Sequence, residues 1–464
     1  MPAEEPGRNR GLSVGGRGED LEADPLCSEL PHRRRSVSSA ATPDHVPPTT
    51  EPDNPWRGVP AFLAGATALA SIGLAAGGTA GALLATELAG TPSVAGLPVA
   101  LHLGGSAVGA LLVSHQAGLG HRGRGLALGL LLGAVGALTV VFAARQGSLP
   151  VMLVGSTLLG TANSSIFLVR YAAAQAVGEG SRGRAVGAVF LATAFGAVVS
   201  PLLLGPSGSV AGAMDLPALS GLYLVALVTF GSSALLLAAG STPRTPLLGR
   251  AARILTSGAR HTRGAAGLLS ALREPATMVA LSALAGTNFV MVGIMTIAPV
   301  HLDQHGAGHG TVGLLVALHV VGMFAPAPLT GRVADRHGPV PVVLVGAVVS
   351  LTACVLGALS DGHATALTTT YLVLAGLGWN CGVVGASTLL TGAVPDGLRP
   401  HAEGIGEATM GTAAVVVAPL VAALPGAWGY HLLALCAAAL TALALVQLRR
   451  VAARVLHQTP RTLT

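Results

Sequence analysis

Twelve apolar runs decide what this chain can fold into: 59–86, 97–114, 126–143, 150–176, 184–205, 217–240, 276–300, 311–331, 340–360, 365–392, 405–425 and 428–448. A helix crosses the hydrocarbon core of a bilayer with about 20 apolar residues, and these runs have that length. Lipid offers no hydrogen bonds, so each segment must satisfy its backbone internally, which a helix does. Charged residues make up 10% of the chain, far below the roughly one quarter or more that a soluble surface needs. The mean hydropathy of +0.67 points the same way. The second run is short, and only Pro425–Gly429 divides the last pair. The 64 glycines suit a bundle, because small residues let helices approach closely; Gly73, Gly77 and Gly81 share one face of the first run.

A net charge of +6 would suggest a nucleic-acid partner in a soluble protein. Its distribution argues for membrane topology instead. All 26 basic residues other than His are Arg. With the N-terminus placed in the cytoplasm, the loops after the even-numbered spans hold Arg122, Arg124, Arg182, Arg184, Arg244, Arg250, Arg253, Arg260, Arg263, Arg273, Arg332, Arg336 and Arg399. The loops on the opposite side hold Arg145. The positive-inside rule then sets both termini and the long central loop in the cytoplasm, with the protein multi-pass in the plasma (inner) membrane. No nucleic-acid partner is expected; the partners are the lipid bilayer and a small transported solute or metal ion.

Residues 1–55 are rich in Pro, Gly, Ser and acids, hold Arg33-Arg34-Arg35-Ser36, and lack an apolar run. They read as a disordered cytoplasmic tail, not a cleaved secretory signal. Residues 241–275 carry six Arg against Glu274 alone, a basic cytoplasmic loop between a six-helix bundle at 56–240 and a second at 276–452. Residues 453–464 form a cytoplasmic tail. Cys27, Cys354, Cys381 and Cys436 show no paired spacing, so neither a disulfide framework nor a zinc site is expected.

The loop after span eight reads Gly331-Arg332-Val333-Ala334-Asp335-Arg336-His337-Gly338. With six spans, a basic loop and six more spans, it resembles the major facilitator superfamily, whose G-x-x-x-D-R-x-G-R-R motif follows span two and recurs after span eight. The resemblance covers residues 56–450 and implies the major facilitator fold: an all-α membrane protein of twelve transmembrane helices in two six-helix bundles. It implies transport by alternating access and a monomer. In the family the motif latches one conformation, which assigns conformational roles to Gly331, Asp335 and Arg336. The first copy, Gly118-Leu119-Gly120-His121-Arg122-Gly123-Arg124, lacks the acid, which leaves that latch incomplete. Its Gly-x-Gly-x-x-Gly spacing also matches a dinucleotide fingerprint, but joins two spans where that motif needs a strand.

Five strings narrow the resemblance: Thr79–Ala85, Arg170–Ala174, Met295–His301, Leu318–Met323 and Gly376–Asn380. They look like the bacterial branch that contains the CcoA-type, cox-assembly-like copper importers, together with riboflavin transporters. In those importers a Met-x3-Met pair on span seven and a His-x3-Met pair on span eight are the proposed ligands, matching Met291 and Met295, then His319 and Met323. Residues four apart share a helix face. At 1.5 Å per residue Met291 lies roughly 13 Å and His319 roughly 12 Å below the outer surface, so the pairs overlap in depth if their helices adjoin. Thioether and imidazole suit soft Cu(I) and suit Mg²⁺ or Ca²⁺ poorly. His301 and His305, with Asp303 and His309, offer metal collection at the outer mouth. Against this, methionine is an ordinary gap-filler in helical cores.

Arg170 near the cytoplasmic end of span four either snorkels to the interface or takes part in coupling, as the matching family arginine is thought to. Glu407 at the start of span eleven is expected to pair with a cytoplasmic Arg. Trp379 and Asn380 either face the cavity or bond across helices. No enzyme motif is present and no cofactor is expected. The leading expectation is a copper importer, with copper as substrate; a carrier of a small organic solute such as riboflavin or a drug is the alternative. Only 3% of residues are aromatic, which counts against a stacking cavity for a flat ring.

Overall fold

The computed structural model describes residues 58–458 apart from 77–78, 92–93, 95, 242–245, 257–264, 305–308, 361–364 and 425–427. The described residues all fall in the unit 51–464; the other compact unit, Met1–Thr50, lies outside them. Among the described residues the structure is helical. The first half holds α1 (Gly58–Ser71), α2 (Thr79–Ala89), α3 (Leu97–Gly118), α4 (Arg122–Gln146), α5 (Leu149–Gln175), α6 (Arg182–Leu202), α7 (Leu204–Ala213) and α8 (Gly221–Gly240). The connecting loop contributes α9 (Pro246–Thr256) and α10 (Ala265–Leu272). The second half holds α11 (Pro275–Gln304), α12 (His309–Phe324), α13 (Ala327–His337), α14 (Pro339–Ala358), α15 (Thr365–Ala393), α16 (Arg399–Ala422) and α17 (Trp428–Gln458).

Ten helices among the described residues are long and apolar enough to cross a membrane. Two expected spans fall to shorter apolar helices: Gly58–Ser71 with Ala80–Ala89, and Trp428–Leu443. The arrangement is that of the twelve-helix fold expected from the sequence. Breaks inside three spans have local causes. Span one turns through a 3-10 segment, Leu74–Ala76, beside Gly73. Span five is interrupted at Leu203, just past Pro201, and span eight divides at Pro326, because proline lacks the N–H that would continue the helix.

Lipid is as apolar as leucine, so close packing and interhelical hydrogen bonds hold such helices together. Thr161 Oγ1 donates to the Gly129 carbonyl at 2.8 Å and Ser233 Oγ to the Ala66 carbonyl at 2.8 Å. In the second half Asn288 Nδ2 donates to the Met410 carbonyl at 2.9 Å, and the Tyr371 and Tyr430 hydroxyls lie 3.1 Å apart. Glycines stand where backbones touch. A Cβ on Gly105 would overlap the Thr157 carbonyl of α5, and one on Gly160 the His102 carbonyl of α3.

Gly160→Val should therefore lower the thermal unfolding midpoint of detergent-solubilised protein, overpacking costing about 1–3 kcal/mol. Gly231→Ala, with open space around the glycine, should stay within about 0.5 kcal/mol of wild type. Equal midpoints for the two variants would mean that α3 and α5 do not meet at Gly160.

Candidate functional site: the seam between the two halves

The two halves meet along a seam at the end of the bundle where Arg122, Arg182, Arg184 and Arg399 gather, the arginine side. At its centre is Arg170 of α5, fully buried. Its Nη2 donates to Glu407 Oε1 of α16, and its Nε to Ser387 Oγ of α15 at 2.9 Å. Within its own half, Nη1 donates to the Phe167 carbonyl at 2.8 Å and Nη2 to the Tyr171 hydroxyl at 3.2 Å. The guanidinium carbon also lies 4.5 Å from the Tyr171 ring centre and 5.5 Å from that of Phe190. Arg170 does not snorkel. Glu407 is 7% exposed and pairs with this membrane-embedded arginine, not with an arginine of a loop.

Beside the ion pair sits an aromatic cluster drawn from both halves. Trp379 of α15 packs on Phe324 of α12, Phe190 of α6 and Phe167 of α5, with ring centres 5.6, 5.7 and 6.4 Å away and the rings near edge-on. Such edge-to-face pairs contribute about 0.5–1.5 kcal/mol each beyond area burial. Trp379 Nε1 donates to Asn288 Oδ1 of α11 at 3.0 Å. The low aromatic content argued against a stacking cavity; four of the aromatics nonetheless pack together at the seam. Asn380 bonds across helices: its Nδ2 donates to the Met323 carbonyl at 2.6 Å, where Pro326 breaks the span, and its Oδ1 accepts from Thr330 Oγ1 at 2.7 Å.

Two latches close the arginine side. Asp335, near the end of α13, accepts the backbone N–H groups of Gly183 at 2.6 Å and Arg184 at 3.0 Å, and Arg184 Nε at 3.3 Å. The carboxylate thus caps the positive N-terminus of α6 from the opposite half. Gly331 and Gly183 permit this approach, since a Cβ on either would overlap the carbonyl of the other. Arg336 is exposed in the last turn of α13, a favourable place for a cation at a helix C-terminus.

The motif copy without an acid nonetheless makes a latch, of opposite polarity. Arg122 Nη2 donates to Glu403 Oε2 of α16 at 2.7 Å, and Gln175 Nε2 donates to Glu403 Oε1 at 2.8 Å. The two ionic side chains are 4% and 2% exposed. The acid stands on the partner helix, 281 residues away. Only the pairing of Arg122 with a second buried acid could have shown it, and one sequence does not display that pairing.

The expected metal ligands are placed less closely than their spacing suggests. Helix α12 packs mainly on α15 and touches α11 only slightly. His319 is 1% exposed, and its Nδ1 is 2.8 Å from the Leu372 carbonyl. A carbonyl can only accept, so Nδ1 carries the proton and neutral His319 keeps a lone pair on Nε2. Among the described residues that buried Nε2 has no hydrogen-bond partner. Met323 is buried in the large core. Met291 packs against that core, whereas Met295 packs against a separate cluster in the second half. His301 lies in α11 with its side chain outside the described residues, and His305 lies wholly outside them. Among the described residues no three His, Cys, Asp or Glu gather as a metal site.

Comparison with known proteins completes the picture. The family model for the Major Facilitator Superfamily matches residues 293–463. The uncharacterized MFS-type transporter YddS of Bacillus subtilis is 33% identical over 337 residues, which cover 72% of this chain and 76% of the relative. The riboflavin transporter RfnT of Brucella anthropi is 26% identical over 338 residues, 71% of this chain and 79% of the relative. Among solved structures, the human organic anion transporter MFSD10 (TETRAN) superposes with a TM-score of 0.64 at 18% identity, covering 84% of this chain and all of that one (100%).

Removing Arg122 should leave Glu403 a buried charge with no ionic partner, keeping only the hydrogen bond from Gln175. Arg122→Ala is expected to cost the closed arginine side about 3–5 kcal/mol, and Arg122→Ala with Glu403→Gln to recover most of it. Thermal midpoints of the three proteins in detergent test this; a neutral single variant would show the pair to be solvated.

Proposed function

The chain belongs to the major facilitator superfamily of membrane transporters, and from that premise we propose that it is a secondary active carrier of a small organic solute with a flat ring. It works by alternating access, closing its arginine side through the seam and opening the opposite side. By the positive-inside rule the arginine side is cytoplasmic, and the carrier sits in the plasma (inner) membrane as a monomer. The observation that carries the cargo reading is the seam cluster of Phe167, Phe190, Phe324 and Trp379 beside Asn288. Such a surface offers a ring its stacking partner, with an amide and a buried ion pair next to it to fix orientation. The likeness to a riboflavin transporter supports the same class.

Copper is the second reading, carried by the orphaned Nε2 of His319. A lone pair held in a dry site by a second-shell bond to a carbonyl is the arrangement in which histidine binds metal. Met291, Met295 and Met323 would then supply soft thioether ligands for Cu(I), delivered as cargo.

One set of proteoliposomes separates the readings. Riboflavin serves as the first organic probe and Cu(I) as the metal probe, with Trp379→Ala and His319→Ala variants at matched protein content. On the organic reading riboflavin accumulates, and Trp379→Ala lowers uptake about tenfold, the equivalent of one lost interaction of 1.4 kcal/mol. Copper accumulation lost in His319→Ala, with riboflavin unmoved, would establish the second reading instead.

A further inference from the structure

The face of α5 that meets the second half carries Asn163, Phe167 and Arg170, spaced four and then three residues apart and so aligned on one side of the helix. Phe167 packs in the aromatic cluster and Arg170 in the ion pair, which fixes the direction of that face toward the seam. Asn163 stands at the middle of α5, as Trp379 does in α15 and Asn288 in α11, so the three share a depth near the bilayer midplane. The helical rise sets it roughly 6 Å from Phe167, on the side away from the arginines. An amide at that depth carries polar groups that lipid cannot satisfy.

Asn163 is half-buried, and among the described residues it makes one hydrogen bond: Nδ2 donates to Ser106 Oγ of α3 at 3.0 Å. An asparagine amide has two N–H donors and a carbonyl oxygen with two lone pairs. Ser106 takes one donor and orients the group, while the oxygen and the second N–H stay open. Asn288, by contrast, engages both ends of its amide, accepting from Trp379 and donating to the Met410 carbonyl. Arg170 and Glu407 neutralise each other, so an ionic cargo would leave water without a counter-charge to meet it. A sugar-like solute would need a partner for each hydroxyl, whereas the surface beside Asn163 is aromatic.

We propose that Asn163 is the specificity-determining residue of the cargo site, and that the cargo is an uncharged flat ring with a carbonyl and an N–H side by side on its edge. The Asn163 oxygen accepts from the ring N–H and its free N–H donates to the ring carbonyl, while the ring face lies on Phe167 and Trp379. Ser106 is a positioning residue, its hydroxyl holding the amide plane in the orientation that this double contact needs. The inference deepens the flat-ring reading above and rests on it.

Two probes test this in proteoliposomes of the full chain: riboflavin, whose ring has such an edge, and the derivative methylated on its ring imide nitrogen, which keeps the ring and loses that N–H. Wild type should take up the methylated compound with a KM about tenfold higher, the equivalent of one hydrogen bond. Asn163→Ala should raise the KM for riboflavin toward that of the derivative, with the preference gone. Ser106→Ala keeps the amide but frees it, and should lose part of the preference; it carries the test if Asn163→Ala does not fold. Trp379→Ala should weaken both compounds alike and keep their ratio, which separates stacking from recognition of the edge. Equal KM values for the two compounds in wild type would overturn the proposal and leave the flat-ring reading intact. An undiminished preference in Asn163→Ala would do the same. Uptake of neither compound by wild type would bring down the flat-ring reading and this inference with it.

Discussion

The ion pair of Arg170 and Glu407 sets the terms for the rest of the seam. Each charge buried away from water loses several kcal/mol of solvation, and attraction restores this only when the partner is in place and the remaining hydrogen bonds are made. Arg170 meets that condition with acceptors from both halves and two aromatic faces. The arrangement is stable while the halves touch and costly once they part. The aromatic cluster beside it excludes water and so strengthens the pair, while the latches of Asp335 and Arg122 hold the helix ends that keep the cluster closed.

Outside the aromatic cluster, the seam relies on close backbone contact at small residues. Gly183 faces Gly331, Gly187 faces the Ala327 carbonyl, Gly404 meets Ser114 and Gly411 meets Ala107. Small residues permit many shallow van der Waals contacts over a smooth surface. Such a surface can separate without side chains having to withdraw from holes. The directional contacts are then few: the ion pairs and the aromatic cluster.

Helix spans and the motif that carries the latch at Asp335 were legible because each follows from residues close together in the chain, whereas the breaks near Pro201 and at Pro326 fell inside runs read as continuous. The partners of Arg170 and Arg122 were not, because they lie 237 and 281 residues away on helices whose faces no periodicity can match. Glu407 was accordingly assigned to a cytoplasmic arginine from its place near a helix start, and the missing acid at Gly118–Arg124 left that latch in doubt. The low aromatic content was equally silent on place, since a chain-wide 3% says nothing about which aromatics meet at the seam. The spacing of Met291, Met295, His319 and Met323 placed each pair one turn apart on a helix, yet Met291 and Met295 pack against different clusters. Which neighbour those faces meet depends on packing, and α12 turns its His319 toward α15.

The two latches differ in what each half keeps when they break. At α6 the N-terminus is capped by a carboxylate from the other half, so opening strips the cap from Gly183 and Arg184 and leaves Asp335 near the bundle surface, where water replaces them. At α16 the carboxylates belong to the helix itself, beyond its first turn and so beyond the reach of its N-terminal dipole, which falls off within that turn. When the halves part, Glu403 loses Arg122 and Gln175, and Glu407 loses Arg170. Three acids therefore stand at the seam with two different fates: Asp335 regains water at a helix end, while Glu403 and Glu407 each lose a buried partner of the other half, which makes the α16 contacts the costlier ones to break.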